Sequence, residues 1–191
     1  MPRASAADAA RTARRVLDAA TELFADRGFA DVSLDDIART AGVTRGAVYH
    51  HFGTKSALFS AVAERLQSDI ALAVVAAAER SGTPEEPLRA GSHAFLDAIT
   101  SGAAVRILLV DAPSVIGWQE WRRLDAENSA THLREALADA GVPEELLDAS
   151  TAQLSGAMNE AALWTAQHPD PEAARVRSHE ALDRLLDAWL P

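Results

Sequence analysis

Ile37-Ala38-Arg39-Thr40-Ala41-Gly42-Val43-Thr44-Arg45-Gly46-Ala47-Val48-Tyr49 reads as two short helices joined by a tight turn. Gly42 supplies the positive φ that such a turn needs. Thr44 comes next as an N-cap, so the second helix starts with free amides that can meet a phosphate. Ile37, Ala38, Val43 and Val48 are placed to pack both helices against a preceding one. Gly46 stands in the first turn of the second helix, where glycine costs about 1 kcal/mol against alanine. Close approach of the backbone to DNA would offset that cost. The unit has helix-turn-helix logic.

Outward from it, the chain reads as helices. Strand signals are nearly absent, and apolar spacing is mostly three and four. Upstream, Val16, Ala20, Leu23 and Phe24 stripe a helix from about residue 9 to 26, with Gly28 as its left-handed stop. Ser33, three residues before Asp36, caps the helix that Gly42 closes. Downstream, Thr54 caps a long helix over 55–80, and Ser81-Gly82-Thr83-Pro84 breaks it. Further helices are expected to about Thr100, over 105–110, and over 117–140 after an interruption at Ala112-Pro113-Ser114. The last two run from Pro143 to about Gln167 and from Pro171 to near Trp189. The predicted fold is all-α, with a three-helix domain over 1–54 and a larger helical domain over 55–191.

The 191 residues are 48% hydrophobic and 24% charged, a globular mix that excludes wholesale disorder. Having no cysteine, the chain holds no disulfide, thiolate metal site or cysteine nucleophile. It has no run of about 18 uncharged apolar residues to mark a membrane span. The start lacks an apolar signal core, so a cytoplasmic protein with no membrane partner is expected. A net charge of -10 argues against a nonspecific nucleic-acid coat, but the charge is unevenly spread. Residues 1–55 hold 8 basic and 7 acidic side chains, and 56–191 hold 10 and 21. No carboxylate lies between Asp36 and Glu64, the window that holds Arg39, Arg45, His50, His51 and Lys55. That window is a local electropositive footprint.

The surrounding residues carry a family likeness. They comprise Ala19-Ala20-Thr21-Glu22-Leu23-Phe24, Arg27-Gly28-Phe29 and Val32-Ser33-Leu34-Asp35-Asp36-Ile37-Ala38. The pattern continues with Ala41-Gly42-Val43-Thr44, Gly46-Ala47-Val48-Tyr49-His50-His51-Phe52, Lys55 and Leu58-Phe59. Residues 12–59 thereby resemble the DNA-binding domain of the tetracycline-repressor family of bacterial regulators. The likeness implies that Thr44 caps the recognition helix and touches phosphate, and that Tyr49 and His50 contact the DNA backbone. Arg45 is the candidate base reader, because a guanidinium pairs bidentately with guanine. Ala47 suits a thymine methyl, with Gly46 beside it. Lys55 and Ser33, each at a helix start, are candidate phosphate contacts. Arg3, Arg11 and Arg14 are candidate clamps on the flanking backbone, or simply a charged tail. His51, Phe52 and Phe59 read as packing residues.

The likeness also implies that the second domain dimerises and binds a small effector. Leu182, Leu185, Leu186 and Trp189 form one apolar stripe. On the preceding helix Gly156, Ala157 and Trp164 mix small residues with one aromatic, as a close helix interface would require. These stripes could equally complete the monomer core. For the effector, Trp118, Trp121, Asp125, Asn128 and His132 are spaced by three and four, with Arg122 on the same helix. Two indoles and a few polar groups suit a mostly apolar ligand. His93, Leu96, Ile107, Leu108, Asp111 and Asn159 are candidates for the opposing wall. The plain alternative makes the tryptophans core and the polar groups solvated.

Enzyme chemistry finds no support. The histidines at 93, 132, 168 and 179 lack metal-ligand spacing, and no phosphate-binding glycine loop or nucleophile elbow occurs. Glu85-Glu86 and Glu144-Glu145 sit in first helical turns, where they meet the helix dipole. The expectation is a homodimeric, ligand-released repressor of double-stranded operator DNA with no cofactor. An architectural or protein-recruited DNA-binding factor without an inducer is the alternative.

Overall fold

The computed structural model describes residues 6–80 and 86–188. Among them every regular element is helical. α1 (Ala6–Arg27), α2 (Leu34–Ala41) and α3 (Arg45–Phe52) form the N-terminal bundle, and α4 (Lys55–Ala78) leads out of it. Next come α5 (Glu86–Thr100), a first π segment (Val105–Asp111), α6 (Ala112–Val115) and α7 (Trp118–Asp125). A second π segment (Ala126–Ala130), α8 (Thr131–Asp139), α9 (Glu144–Gln167) and α10 (Pro171–Asp187) complete the chain.

The N-terminal bundle is set by local signals. Ser33 and Asp36 form a reciprocal capping box, each holding the other's backbone N–H at 3.1 Å. The Ser33 hydrogen bonds, and then Arg39, hold the Asp36 carboxyl below the usual carboxylate range. Gly42 ends α2 at φ 62°, and Val43 N–H returns to Ala38 O at 2.9 Å. Val16, Ala20, Phe24, Ile37 and Val48 are fully buried and bind the three helices to one another. Phe59 of α4 meets Phe24 and Phe29 with ring centroids 5.2 Å from each.

α4 belongs to both halves. Leu58, Phe59, Val62 and Ala63 bury against the N-terminal bundle, while Ile70 and Ala71 bury further along. Gly91 lets α5 approach closely, since a Cβ there would stand 3.3 Å from Val74 Cγ1. Leu88, Phe95, Ile99, Ile107, Leu137 and Leu147 continue the same hydrophobic core into the second domain. No single helix among the described residues is long and apolar enough to cross a membrane.

Two expected features are corrected. Ala112-Pro113-Ser114 does not interrupt the helical path, because Pro113 falls in the first turn of α6, where its missing N–H is not needed. The expected 117–140 helix is broken in register by the π segment Ala126–Ala130. A π turn holds an extra residue, so every later residue is rotated relative to an ideal helix. Asn128 and His132 therefore do not continue the face of Trp118, Trp121 and Asp125. Trp189 and Arg3 lie outside the described residues.

Candidate nucleic-acid interface and effector cavity

α3 presents one side to the core through Val48 and the other to solvent. Thr44 caps it, its hydroxyl accepting Ala47 N–H at 3.2 Å. Arg45, Gly46, Tyr49 and His50 are exposed, and Ala47 lies beside them half-buried. Arg45 is preorganised. Its Nη1 donates to Asp35 Oδ2 at 2.8 Å and its Nη2 to the Tyr49 hydroxyl at 3.1 Å. The Tyr49 hydrogen bond, then the Asp35 charge, hold the guanidinium still more firmly protonated. Around Gly46 a Cβ would meet only Thr44 Oγ1, at 3.9 Å. Packing within the protein therefore gives no reason for glycine there.

Arg15 was not singled out in the sequence, yet it holds the motif together. Its guanidinium reaches from α1 to the Ala41 and Gly42 carbonyls, the latter at 3.2 Å. A cation on the open carbonyls of a helix end is favourable. The signal was its place on α1, one residue before the buried Val16.

Lys55 differs from expectation. Its ammonium donates to Phe29 O at 2.8 Å, Val32 O at 2.9 Å and Ala30 O at 3.4 Å. It also stands 4.2 Å from the centre of the Phe29 ring. All three donors of the half-buried ammonium are spent on the α1–α2 connection. Ser33 Oγ is likewise engaged, donating to Asp36 Oδ2 at 2.6 Å. Arg11 pairs with Asp8 on its own helix.

The second domain holds a cavity of about 230 Å³ between α4, α5, α8 and α9. Val74, Leu88, Phe95, Leu133 and Met158 give it an apolar wall, and Ser92, Ser129 and Ser155 line it too. Ser129 reaches it from the second π segment. Of the expected effector residues only His132 lines it, and the others lie elsewhere. Trp118 is 63% exposed and leans on Trp121, with ring centroids 4.9 Å apart. The Trp121 ring is buried, and its indole N–H has no partner among the described residues. Arg122 pairs with Asp125 at 3.3 Å. Burial pushes the Asp125 carboxyl up, against the pull of Arg122 and Ser155. Asn128 donates to Leu124 O at 2.7 Å, within its own helix. Leu96, Ile107 and Leu108 are core, and Asn159 is half-buried on α9. His93 Nε2 lies 2.8 Å from Asp183 Oδ1, and its ring stacks on His179. Asp111 serves the domain junction, accepting Phe29 N–H at 3.1 Å. Beside it, Arg106 crosses Gly28 so closely that a Cβ there would stand 2.4 Å from the guanidinium.

The two stripes on the last helices divide. Leu182 and Leu186 are buried in the monomer, correcting their expected place on an outer face. Leu185 and Trp164 are 46% and 44% exposed along a groove between α9 and α10 that Ala157 and Ala181 also line. Gly156 is also exposed on α9. Among the described residues no group of three or more His, Asp or Glu is arranged to hold a metal.

Comparison with known proteins agrees with this architecture. The family model described as "Bacterial regulatory proteins, tetR family" matches residues 16–62. A second, "Tetracyclin repressor-like, C-terminal domain", matches residues 85–189. The chain belongs to the tetracycline-repressor family. A solved TetR-family transcriptional regulator from Pectobacterium atrosepticum is 30% identical, with 97% of each chain covered and a TM-score of 0.77. The transcriptional regulator EthR of Mycobacterium tuberculosis is 28% identical over 92% of this chain and 83% of its own length. SrpR of Pseudomonas putida is 49% identical over 72 residues, 38% of this chain. For SrpR and for the regulator AcrR of Shigella flexneri the match spans only about a third of the relative's own length, and for the regulator TtgW of Pseudomonas putida about half. The similarity to these three is confined to fewer than 75 residues each. The chain is thus a DNA-binding transcriptional regulator of a family whose members are not enzymes.

Proposed function

We propose that the protein is a homodimeric repressor whose hold on an inverted-repeat operator is released by a small, mostly apolar effector. Residues 1–54 read the DNA, and 55–191 bind the effector and dimerise. The observation that carries this reading is the exposed α3 face, Thr44, Arg45, Gly46, Tyr49 and His50, fixed to a domain that contains an apolar-walled cavity. Two copies of α3 would enter successive major grooves about 34–36 Å apart. Trp164, Leu185, Ala157 and Gly156 offer the face for the second copy. The cavity, with walls from α4, α5, α8 and α9, is the favoured effector site. α4 is then the lever, since it supplies both that wall and the Phe59 anchor of the N-terminal bundle.

The test is titration of DNA flanking the gene, read by fluorescence anisotropy. Arg45→Ala should lose roughly 10- to 100-fold at one base pair of each half-site and little elsewhere. Equal loss at every sequence would remove the base-reading role. A dimer that binds DNA but responds to no small molecule would favour an architectural factor.

A further inference from the structure

Two buried serines line the cavity, and neither hydroxyl has a partner among the described residues. Ser92 on α5 is 3% exposed and Ser129 on the π segment is 8% exposed, and neither Oγ makes a hydrogen bond among the described residues. A buried hydroxyl left without a partner costs about 1–3 kcal/mol. A fold has no reason to hold two of them on one cavity unless something else meets them. The second π segment strengthens the point. It introduces the extra residue that brings Ser129 to the wall, and single π turns of this kind recur at binding sites.

The mouth has a different chemistry. Glu79, Glu135 and Asp139 line the cavity and are exposed, which puts them at its mouth, and no lysine or arginine lines it among the described residues. Glu79 is the C-cap of α4 and Asp139 is the last residue of α8. Each carboxylate thus stands at the negative end of a helix dipole, an unfavourable place that the fold by itself does not require. Of the neighbouring cations, neither Arg80 nor Arg134 lines the cavity. Arg134 pairs with Glu144 at 2.7 Å and Asp148 at 2.8 Å, and Arg80 borders a separate hollow beside His93. Three carboxylates and two helix ends concentrate negative potential over one opening. Within it, His132 Nδ1 lies 3.6 Å from Glu135 Oε2.

We propose that the cavity between α4, α5, α8 and α9 takes a compact organic cation: an apolar body, a hydrogen-bonding group at the inner end for Ser92 and Ser129, and a protonated amine at the acidic mouth. The proposal rests on the reading of this cavity as the effector site. The apolar body lies against Leu88, Phe95, Leu133 and Met158. A volume of about 230 Å³ is below the roughly 300–1,000 Å³ of pockets that take drug-sized ligands, so the ligand is small. Methionine suits such a wall, because its unbranched thioether adapts to varied shapes.

Calorimetric titration with four matched probes tests this: tyramine, phenethylamine, 4-ethylphenol and 3-(4-hydroxyphenyl)propionate. Tyramine should bind at least tenfold tighter than the propionate, and high salt should narrow the gap. Glu135→Gln with Asp139→Asn should weaken tyramine about tenfold and leave 4-ethylphenol within twofold. Ser92→Ala with Ser129→Ala should weaken tyramine several-fold but spare phenethylamine, which lacks the hydroxyl. The same serine variant should keep or raise the melting temperature, whereas serines with a structural role would lower it. Equal or tighter binding of the propionate, or no effect of neutralising the mouth, overturns the cationic class while leaving the cavity as effector site. If no probe binds, both readings fail. Tyramine that binds without changing operator affinity upholds the ligand class and removes the regulatory reading.

Discussion

The Asp111 carboxylate accepts the Phe29 backbone N–H at 3.1 Å, joining the second domain to the residue just past the α1 stop. On the other side of the same residue, Phe29 O accepts from Lys55 at 2.8 Å. One residue is thus tied to the cavity-bearing domain and to the start of α4. Asp111→Ala leaves a partly buried N–H without its acceptor, and chemical denaturation should show a loss of about 1–3 kcal/mol. Asp111→Asn, which keeps an acceptor, should lose less. If Phe29 carries the coupling, Asp111→Ala should also shrink the factor by which effector weakens DNA binding, and equally the factor by which DNA weakens effector binding.

Lys55 distinguishes a structural tie from a phosphate contact. Lys55→Met removes three internal hydrogen bonds and should lower the melting temperature. A phosphate contact would flatten the salt dependence of operator binding by about 0.9 in log–log slope. The expected result is a less stable protein with an unchanged slope.

Gly46 separates folding from recognition. Gly46→Ala should stabilise the free protein by up to about 1 kcal/mol, because the new methyl finds open space. The same methyl should weaken operator binding at least tenfold where the α3 backbone meets DNA. Unchanged DNA affinity would show that no close approach occurs there.

Leu185 and Leu186 are neighbours with opposite roles. Leu185→Glu should yield folded monomers by analytical ultracentrifugation, with operator affinity lost. Leu186→Glu places a charge at a fully buried position and should unfold the chain instead. A Leu185→Glu protein that remains dimeric at micromolar concentration would move the interface off this groove.

Asp125 predicts a pH dependence. Its folded carboxyl is raised above the ordinary aspartate range by burial. The folded state then binds the proton more tightly than the unfolded state, so this group's contribution to stability falls as pH rises from the ordinary aspartate range through the raised value. Asp125→Asn removes that loss. The variant should gain on wild type at pH 7 and gain less at pH 4, by denaturation at both.

The N-terminal unit was legible because its decisive interactions are local. Ser33 with Asp36, Thr44 with Ala47 and the left-handed Gly42 each act within three or four residues, a distance that reading along the chain covers. The apolar stripes of α1, α2 and α3 keep the helical period without interruption. Beyond Lys55 the helices themselves were readable, but their facing was not. Leu182, Leu185 and Leu186 make one stripe on paper, and packing of α10 turned two of them inward.

The amino-acid sequence alone determined that the protein is helical, where most of its helices start and stop, and that α3 carries Thr44, Arg45, Gly46, Tyr49 and His50 on its solvent side. Caps, glycine stops and helical period act over a few residues and need no partner from elsewhere. Only the tertiary structure decided what the remaining polar groups face. Lys55 meets carbonyls more than 20 residues upstream. Asp111 meets Phe29 across 82 residues. The cavity draws its wall from four helices and a π segment. The extra residue in Ala126–Ala130 rotates the helix beyond it, so Ser129 reaches the cavity and Asn128 turns back on Leu124. A hydrogen-bonding register of that kind is set by packing against α4 and α9, because the intrinsic preferences of Ala126, Glu127, Asn128, Ser129 and Ala130 favour no such insertion.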